Sequence, residues 1–201
     1  MLALSGAHRV GKSTLAKAFA EKNEWDYVAS STSAIFKNFG LDVNKPLTFD
    51  QRMLVQEATF EVHLDDVKKA NARAITDRST IDMAAYAMAE WAKAAEGEQQ
   101  DRLYDYVDRC IRAANWLYAG WVLVQPGIPY VEEEGKPSLS KPFQEVLHVL
   151  CSGYMRDPRF TGVKYIINDS VVELDKRVIV LENIVKCLIR NHLADGAVTL
   201  H

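Results

Sequence analysis

The first residues with a clear chemical pattern form a glycine-containing segment near the start of the chain. The segment matches the pattern G-x-x-x-x-G-K-[ST] in every fixed position. It consists of Gly6, Ala7, His8, Arg9, Val10, Gly11, Lys12, Ser13 and Thr14. The glycines allow backbone angles and close approaches that a Cβ would block, so that successive N–H groups can converge on phosphate oxygens. The pattern therefore predicts a phosphate-binding loop, or P-loop, for a nucleoside triphosphate.

Two side chains of the P-loop are expected to act on the bound nucleotide. Lys12 would reach the β- and γ-phosphates, and Ser13 would give its hydroxyl to Mg²⁺. His8 and Arg9 occupy variable positions of the pattern, and the sequence alone does not predict a catalytic role for them. The predicted ligands are ATP and Mg²⁺.

A second polar group follows the third predicted strand and has the sequence Thr76-Asp77-Arg78-Ser79. Ligands of open α/β sheets bind outside the carboxyl ends of the strands, so Asp77 should point toward Lys12. A carboxylate there would bind Mg²⁺ through water or accept a proton from an attacking hydroxyl. Arg78 would hold an anionic or polar part of the acceptor. In the alternative interpretation, Asp77 and Ser79 only cap the next helix and Arg78 makes a surface ion pair.

A third group follows the fourth predicted strand, in a segment rich in proline and glycine. Residues 125–131 lead into the acidic residues 132–134 and then Lys136. We expect residues 127–142 to form a mobile lid that closes over the phosphates and excludes water. Four residues are candidate cations for the transition state, although each could equally be solvated surface charge: Lys136, Lys141, Arg156 and Arg159.

Strands and helices are predicted to alternate along the whole chain. The predicted strands cover residues 2–5, 27–29, 73–76, 121–125 and 164–167. Three helices are predicted over residues 12–22, 48–70 and 83–95, and apolar stripes within 103–117, 143–154 and 174–188 predict three more. Residues 30–46 are predicted to be mostly loop, and Gly120 is predicted to end the fourth helix. Three capping pairs open helices, namely Thr48 with Gln51, Ser79 with Asp82, and Ser170 with Glu173. This alternation predicts an α/β three-layer sandwich, with a mostly parallel five-stranded sheet covered by helices on both faces, in one domain over residues 1–201.

Composition narrows the class of protein further. The 201 residues are 48% hydrophobic and 25% charged, which is typical of one globular domain. The net charge of −3 disfavours a protein that coats nucleic acid. The three cysteines are scattered in apolar stretches, which predicts buried reduced thiols and a cytoplasmic location. No apolar run reaches the ~18 residues that indicate a membrane span, so no membrane partner is expected.

The three groups together resemble the P-loop kinases related to the ribosylnicotinamide kinase domain of NAD-metabolism regulators, an AAA-type P-loop family. They are also similar to the broader group of deoxynucleoside and nucleoside monophosphate kinases. The matching residues are Gly6 to Thr14, Asp77 to Asp82 with Tyr86, Pro126 to Gly135, and Gln56 in the second long helix. The lid departs from the family pattern because it has Glu133-Glu134-Gly135-Lys136 in place of Asp-Gly-x-Arg, and residues 30–33 lack an expected arginine.

The resemblance implies a kinase of nucleotide metabolism with Lys12, Asp77 and Arg78 as catalytic residues and Ser13 and Asp77 as metal ligands. The candidates for the lid and the acceptor site are Ser31, Ser33, Gln56, Tyr130, Glu133, Lys136 and Arg156. Serine and threonine in residues 30–33 suit a hydrogen-bonded sugar or base better than a phosphate.

Three functions stay open at this stage. The first is transfer of the γ-phosphoryl group of ATP to a nucleoside or nucleotide, and the second is transfer to a hydroxymethyl pyrimidine within DNA, as in some viral-type kinases. A basic face would favour the second function, and its candidates are Lys37, Lys45, Arg156, Arg159 and Lys164. The third is a nucleotide-dependent switch or assembly ATPase. The chain has no Asn-Lys-x-Asp sequence and no run of four apolar residues followed by Asp-Glu or Asp-Asp, which disfavours a GTPase, motor or helicase. The oligomeric state is left open, with a dimer as one alternative.

Overall fold

The protein folds around a five-stranded sheet in which every strand pair is parallel. The computed structural model describes residues 1–42, 45–130 and 140–197, with the backbone alone for residues 192–197. The strands are β1 (Leu2–Ser5), β2 (Asp26–Val28), β3 (Ala74–Thr76), β4 (Gly120–Val124) and β5 (Lys164–Ile167). Their order across the sheet is β2-β3-β1-β4-β5.

Seven helices connect and follow the strands in the described part of the chain. They are α1 (Lys12–Asn23), α2 (Thr32–Asn38), α3 (Phe49–Lys69), α4 (Thr80–Trp91), α5 (Glu98–Leu117), α6 (Lys141–Tyr154) and α7 (Leu174–Ala197). The crossover from β1 to β2 moves in one direction along the sheet, and the later crossovers move in the other. Because such crossovers are right-handed, α1 lies on one face and α3 to α6 lie on the other. Accordingly, α1 contacts α7, whereas α4 contacts α3, α5 and α6. The α/β three-layer prediction is confirmed.

The sheet order determines where the functional residues meet. β1 lies between β3 and β4, and since all three strands are parallel, the segments that follow them leave from one edge. β1, β3 and β4 are buried along their whole length, as expected for a parallel sheet covered on both faces. The P-loop is therefore flanked by Asp77 on one side and by Gln125 on the other.

A buried carboxylate joins the first strand, the P-loop and α4. Asp82 is 1% exposed, and one of its oxygens accepts hydrogen bonds from the Ser5 hydroxyl (2.8 Å) and the Ser79 N–H (2.8 Å). Its other oxygen accepts from the Gly6 N–H at 2.7 Å. Ser79 caps α4 by accepting from the N–H groups of Ile81 and Asp82, and it also accepts from the indole N–H of Trp121 on β4. The predicted capping pair thus also anchors the P-loop.

Several predicted elements differ from those observed. Residues 32–38 form α2 rather than loop, because Ile35 and Phe36 pack against Val55 of α3 and stabilise a short helix whose sequence is otherwise polar. α4 begins at Thr80, directly after its cap, and ends at Trp91, so the predicted bounds were three to four residues late.

One predicted helix end and one predicted helix cap were wrong. Gly120 does not end α5 but begins β4, where a Cβ would lie 2.7 Å from Leu188 Cδ1 of α7, so this glycine permits close packing of helix on sheet. Ser170 does not cap α7, since its hydroxyl donates to the Asn168 side chain instead.

Two of the three cysteines are buried, as their apolar surroundings predict. Cys110 and Cys151 are buried free thiols, whereas Cys187 is half-buried. Within residues 1–42, 45–130 and 140–197, no helix combines the length and apolar character needed to cross a bilayer.

Substitution of Asp82 by alanine should strongly destabilise the fold. The change leaves the buried donors of Ser5, Gly6 and Ser79 without an acceptor, so we expect the free energy of unfolding to fall by about 3 kcal/mol or more in urea denaturation. Asp50→Ala is the matched control, because Asp50 also lies in the first turn of a helix but pairs with Arg102 at the surface. Similar losses for the two variants would show that the buried network contributes little.

Candidate functional site

The backbone of the P-loop is shaped for close contacts on both of its sides. Gly6 has φ 135°, and a Cβ there would lie 2.6 Å from the carbonyl oxygen of Val124. Gly11, with φ 85°, is the N-cap of α1. Because it has no side chain, it cannot accept hydrogen bonds from the first N–H groups of the helix. Arg9 also has a left-handed φ of 60°. The unused N–H groups and positive end of α1 therefore form an anion-binding geometry.

Lys12 bridges the two ends of the P-loop. Its Nζ donates to the carbonyl oxygens of Gly6 (2.6 Å) and Ala7 (2.7 Å). The side chain is half-buried rather than exposed. Burial lowers the pKa of Lys12, and the carboxylate of Asp82 acts in the opposite direction. Ser13 and Thr14, by contrast, are exposed at the start of α1.

Asp77 is held beside the P-loop by hydrogen bonds. Its carboxylate accepts from the Tyr27 hydroxyl at 2.7 Å and from the Ser30 N–H at 3.1 Å. Burial and the Asp77 carboxylate raise the pKa of Tyr27, and a hydrogen bond with Ser13 opposes this rise. Asp77 is thus held by one hydroxyl and one backbone N–H group. It does not cap α4, a role that belongs to Ser79, so the capping interpretation of Asp77 was wrong.

Arg78 lies within the site rather than in a surface ion pair. Its guanidinium stands 5.0 Å from the centre of the Tyr86 ring, and Nη1 donates to the Thr32 hydroxyl at 3.3 Å. Tyr86 in turn packs edge-on against Phe143, which also contacts the ring of His8. These residues place a cation and three rings beside the P-loop.

His8 connects the P-loop to both flanks of the predicted lid. Its Nε2 lies 2.6 Å from the Tyr130 hydroxyl, which accepts a hydrogen bond from the Ser140 N–H at 3.0 Å. The carbonyl of His8 accepts from the Gln144 side chain at 2.8 Å. Burial and the charges of Lys12, Arg9 and Arg78 lower the pKa of His8 to about 4, so the ring is neutral near pH 7.

The candidate cations and the other predicted lid residues lie in three different places along the chain. Val131, Glu133 and Lys136, and with them most of the predicted mobile lid, lie in residues 131–139, outside the described residues. Lys141 is the first residue of α6, next to Ser140. Arg156 lies just beyond the C-terminal end of α6. Arg159 is paired with Asp108 and Asp157. Arg159 is therefore neutralised by its ion pairs and is not a free cation.

The predicted acceptor residues occupy different positions around α2 and α3. Ser31 is the half-buried N-cap of α2 and Ser33 is exposed, and between them Thr32 makes the bond to Arg78. Gln56 is 7% exposed on α3, where its side-chain oxygen accepts from the Tyr106 hydroxyl at 3.2 Å.

The oxygen donors at the site suit Mg²⁺. Among the described residues, no group of three or more His, Cys, Asp or Glu side chains could hold a metal ion. Mg²⁺, however, keeps several waters and is usually bound by one or two protein oxygens together with substrate phosphates. The Ser13 hydroxyl, exposed at the start of α1, and the Asp77 carboxylate beside the P-loop would supply those two oxygens.

Sequence reasoning missed several residues that the fold brings to the site. Tyr27 carried a weak signal, because it lies in a strand, β2, that is parallel to β3. The Ser79–Asp82 pair was recognised as a cap, but its contact with Gly6 depends on the strand order. Phe143 was assigned only to a helix stripe, and Arg177, which contacts the P-loop from α7, carried no signal in its local sequence.

Known structures share this architecture at low sequence identity. A deoxyadenosine kinase from M. mycoides, solved with dCMP and dCDP, has a TM-score of 0.67 at 11% identity, with 93% of this chain and 98% of that chain covered. A thymidylate kinase from Candida albicans has a TM-score of 0.62 at 16% identity, covering 92% and 90%. The YorR protein from Bacillus subtilis, in complex with phosphorylated GDP, has a TM-score of 0.51 at 14% identity, covering 95% and 97%. At these identities the likeness establishes the fold.

Sequence comparison identifies the family. No curated protein matches the chain. A family model described as AAA domain matches residues 1–145, which include the P-loop, Asp77, Arg78 and Tyr130. Because this match covers well over half of the 201 residues, the chain belongs to the AAA domain family.

Proposed function

We propose that this protein is an ATP-dependent phosphotransferase that moves the γ-phosphoryl group of ATP to a nucleoside- or nucleotide-like acceptor. The observation that carries the proposal is the meeting of the P-loop with Asp77 and Arg78 at one edge of the sheet, where the parallel strands β1 and β3 end. A nucleotide switch would need the P-loop but not an arginine that packs on an aromatic ring beside it.

In the proposed reaction the P-loop binds the phosphates and Asp77 acts on the acceptor. Lys12 would exchange its bonds to the Gly6 and Ala7 carbonyls for β- and γ-phosphate oxygens. The acceptor oxygen forms a bond to the γ-phosphorus while the bond to the bridging oxygen breaks, and ADP leaves. Asp77 would take the proton of an acceptor hydroxyl on a carboxylate lone pair that the Tyr27 and Ser30 hydrogen bonds leave free. Mg²⁺, held by Ser13 and Asp77, would neutralise charge on the phosphates.

The side chains next to Asp77 support an acceptor with a flat ring and polar substituents. The rings of Tyr86, Phe143 and His8 offer surfaces for stacking, and Arg78 offers charged donors for a phosphate or a sugar oxygen. Ser31 and Ser33 flank Thr32 and would hydrogen-bond a sugar. The deoxyadenosine and thymidylate kinases with the same fold make a nucleoside or nucleotide the favoured class.

A hydroxymethylated base in DNA is the less favoured acceptor. The basic face that would support it loses one of its members, because Arg159 is neutralised by Asp108 and Asp157. Incubation with labelled ATP and a panel of nucleosides, nucleotides and oligonucleotides tests the proposal directly. Label in oligonucleotides alone would favour the DNA acceptor, and release of phosphate without any labelled product would favour a switch ATPase.

Substitution of Lys12 by alanine should abolish phosphoryl transfer and leave the fold intact. Charge neutralisation at the phosphates is a main catalytic contribution, so turnover should fall by about 10²-fold or more. The loss should appear in single-turnover assays with no comparable change in urea denaturation. Lys22→Ala is the control, because Lys22 lies at the other end of α1 in a pair with Glu182. Wild-type turnover of the Lys12 variant would remove the kinase proposal.

Substitution of Asp77 by asparagine should separate nucleotide binding from chemistry. Asparagine keeps the size and can accept from the Ser30 N–H, so the fold and the ATP affinity should change little. Turnover should fall by about 10²-fold, a typical general-base contribution. Asp26→Asn is the matched control, since Asp26 is exposed at the opposite end of β2. Tyr27→Phe should retain most of the activity, because it frees the carboxylate. An unchanged rate in the Asp77 variant would send the search for a base to Glu133 or Glu134.

A further inference from the structure

One buried arginine, which lies beyond the residues that match the family model, contacts the P-loop from α7. Arg177, in the first turn of α7, is 2% exposed. Its Nη1 donates to the carbonyl of Val10 at 2.8 Å, and its Nε donates to the carbonyl of Val171 at 2.6 Å. The side chain therefore connects the P-loop to the segment that follows β5.

The charge of Arg177 is not balanced within the described structure. Among the described residues, no carboxylate forms an ion pair with it, and its buried Nη2 has no hydrogen-bond partner. Burial lowers the pKa of Arg177, but a guanidinium remains protonated near neutral pH. A neutral amide could donate to a carbonyl without the desolvation cost of a buried charge. The charge therefore indicates a use beyond joining two loops.

The contact to Val10 also determines how the next peptide group points. The carbonyl of Val10 and the N–H of Gly11 belong to one trans peptide plane and point in opposite directions. With the carbonyl held on Arg177, the Gly11 N–H is turned away from α7 and toward the opposite side of the loop. Gly11 also permits the approach, because a Cβ there would lie 3.3 Å from Nη1 of Arg177 and 3.1 Å from Cδ1 of Ile128.

We propose that Arg177 is a positioning residue of the phosphate site. It orients the Val10–Gly11 peptide so that the Gly11 N–H faces the bound phosphates, and its unbalanced charge strengthens the binding of the triphosphate. The inference rests on the proposed function only in assuming that the P-loop binds a triphosphate. It adds a residue of α7, beyond the matched residues 1–145, to the phosphate-binding machinery.

The test compares binding, loop geometry and stability in a set of variants. The variants are Arg177→Met, Arg177→Gln and Arg177→Lys, and the control is Arg190→Met, at an exposed position of the same helix. Calorimetric titration measures the affinity for Mg-ATP and for inorganic tripolyphosphate. The ¹⁵N-resolved chemical shift of the Gly11 amide, with and without tripolyphosphate, reports the orientation of the peptide. Urea denaturation measures stability separately.

We expect Arg177→Met to weaken the binding of both ligands by about 10- to 100-fold, the range expected for a lost charged hydrogen bond. The ligand-induced shift of the Gly11 amide should shrink in the same variant, Arg177→Lys should recover part of the affinity, and Arg190→Met should match the wild type. Should Arg177→Met not fold, Arg177→Gln carries the test, because it retains a donor but no charge and should still bind more weakly.

Two results would be decisive against the idea. Wild-type affinity and an unchanged Gly11 shift in folded Arg177→Met or Arg177→Gln, with only stability reduced, would overturn it and leave Arg177 as a structural link. A wild-type protein that binds neither Mg-ATP nor tripolyphosphate would instead overturn the proposed function, which keeps the two failures distinguishable.

Discussion

The buried carboxylate of Asp82 is the interaction on which the rest of the site depends. A carboxylate that is 1% exposed must be surrounded by donors, because an uncompensated buried charge is costly. Its donors come from the end of β1, the first N–H of the P-loop and the start of α4. This requirement brings three parts of the chain to one point. Asp77 and Arg78, which directly precede Ser79, are thereby placed beside the loop that begins at Gly6.

The P-loop is held at both of its ends by side chains from distant parts of the chain. Asp82 accepts from Gly6 at the beginning, and Arg177 donates to Val10 near the end. Between these points Arg9 has a left-handed backbone, which is strained in a residue with a Cβ unless the surroundings support it. Attachment at two points keeps the N–H groups in place before any ligand arrives. Such preorganisation reduces the reorganisation that phosphate binding and transfer would otherwise require.

The proposed acceptor side is built differently, mainly from side chains rather than from backbone. Arg78 is positioned by an aromatic ring and a threonine hydroxyl, and Asp77 by a tyrosine hydroxyl and one N–H group. The solved kinases share the fold at 9–16% identity. Backbone N–H groups at a sheet edge depend on topology and a few glycines. A surface of rings and hydroxyls, in contrast, can change with the acceptor while the fold remains.

By itself, the sequence determined the P-loop, the alternation of strands and helices and therefore the parallel sheet, because these depend on local spacing and periodicity. It also located the cap at Ser79, a local signal. Tertiary structure alone decided the partners of each residue: α2 exists because Ile35 and Phe36 meet α3, and Asp77 is bound by Tyr27 from a strand 50 residues away. Arg159 had the right charge, but Asp108 and Asp157 pair with it, whereas Arg177 had no local signal and reaches Val10 across 167 residues. Local patterns record what a segment can form, but a buried charge or hydrogen bond is satisfied by whatever the strand order and helix lengths bring next to it.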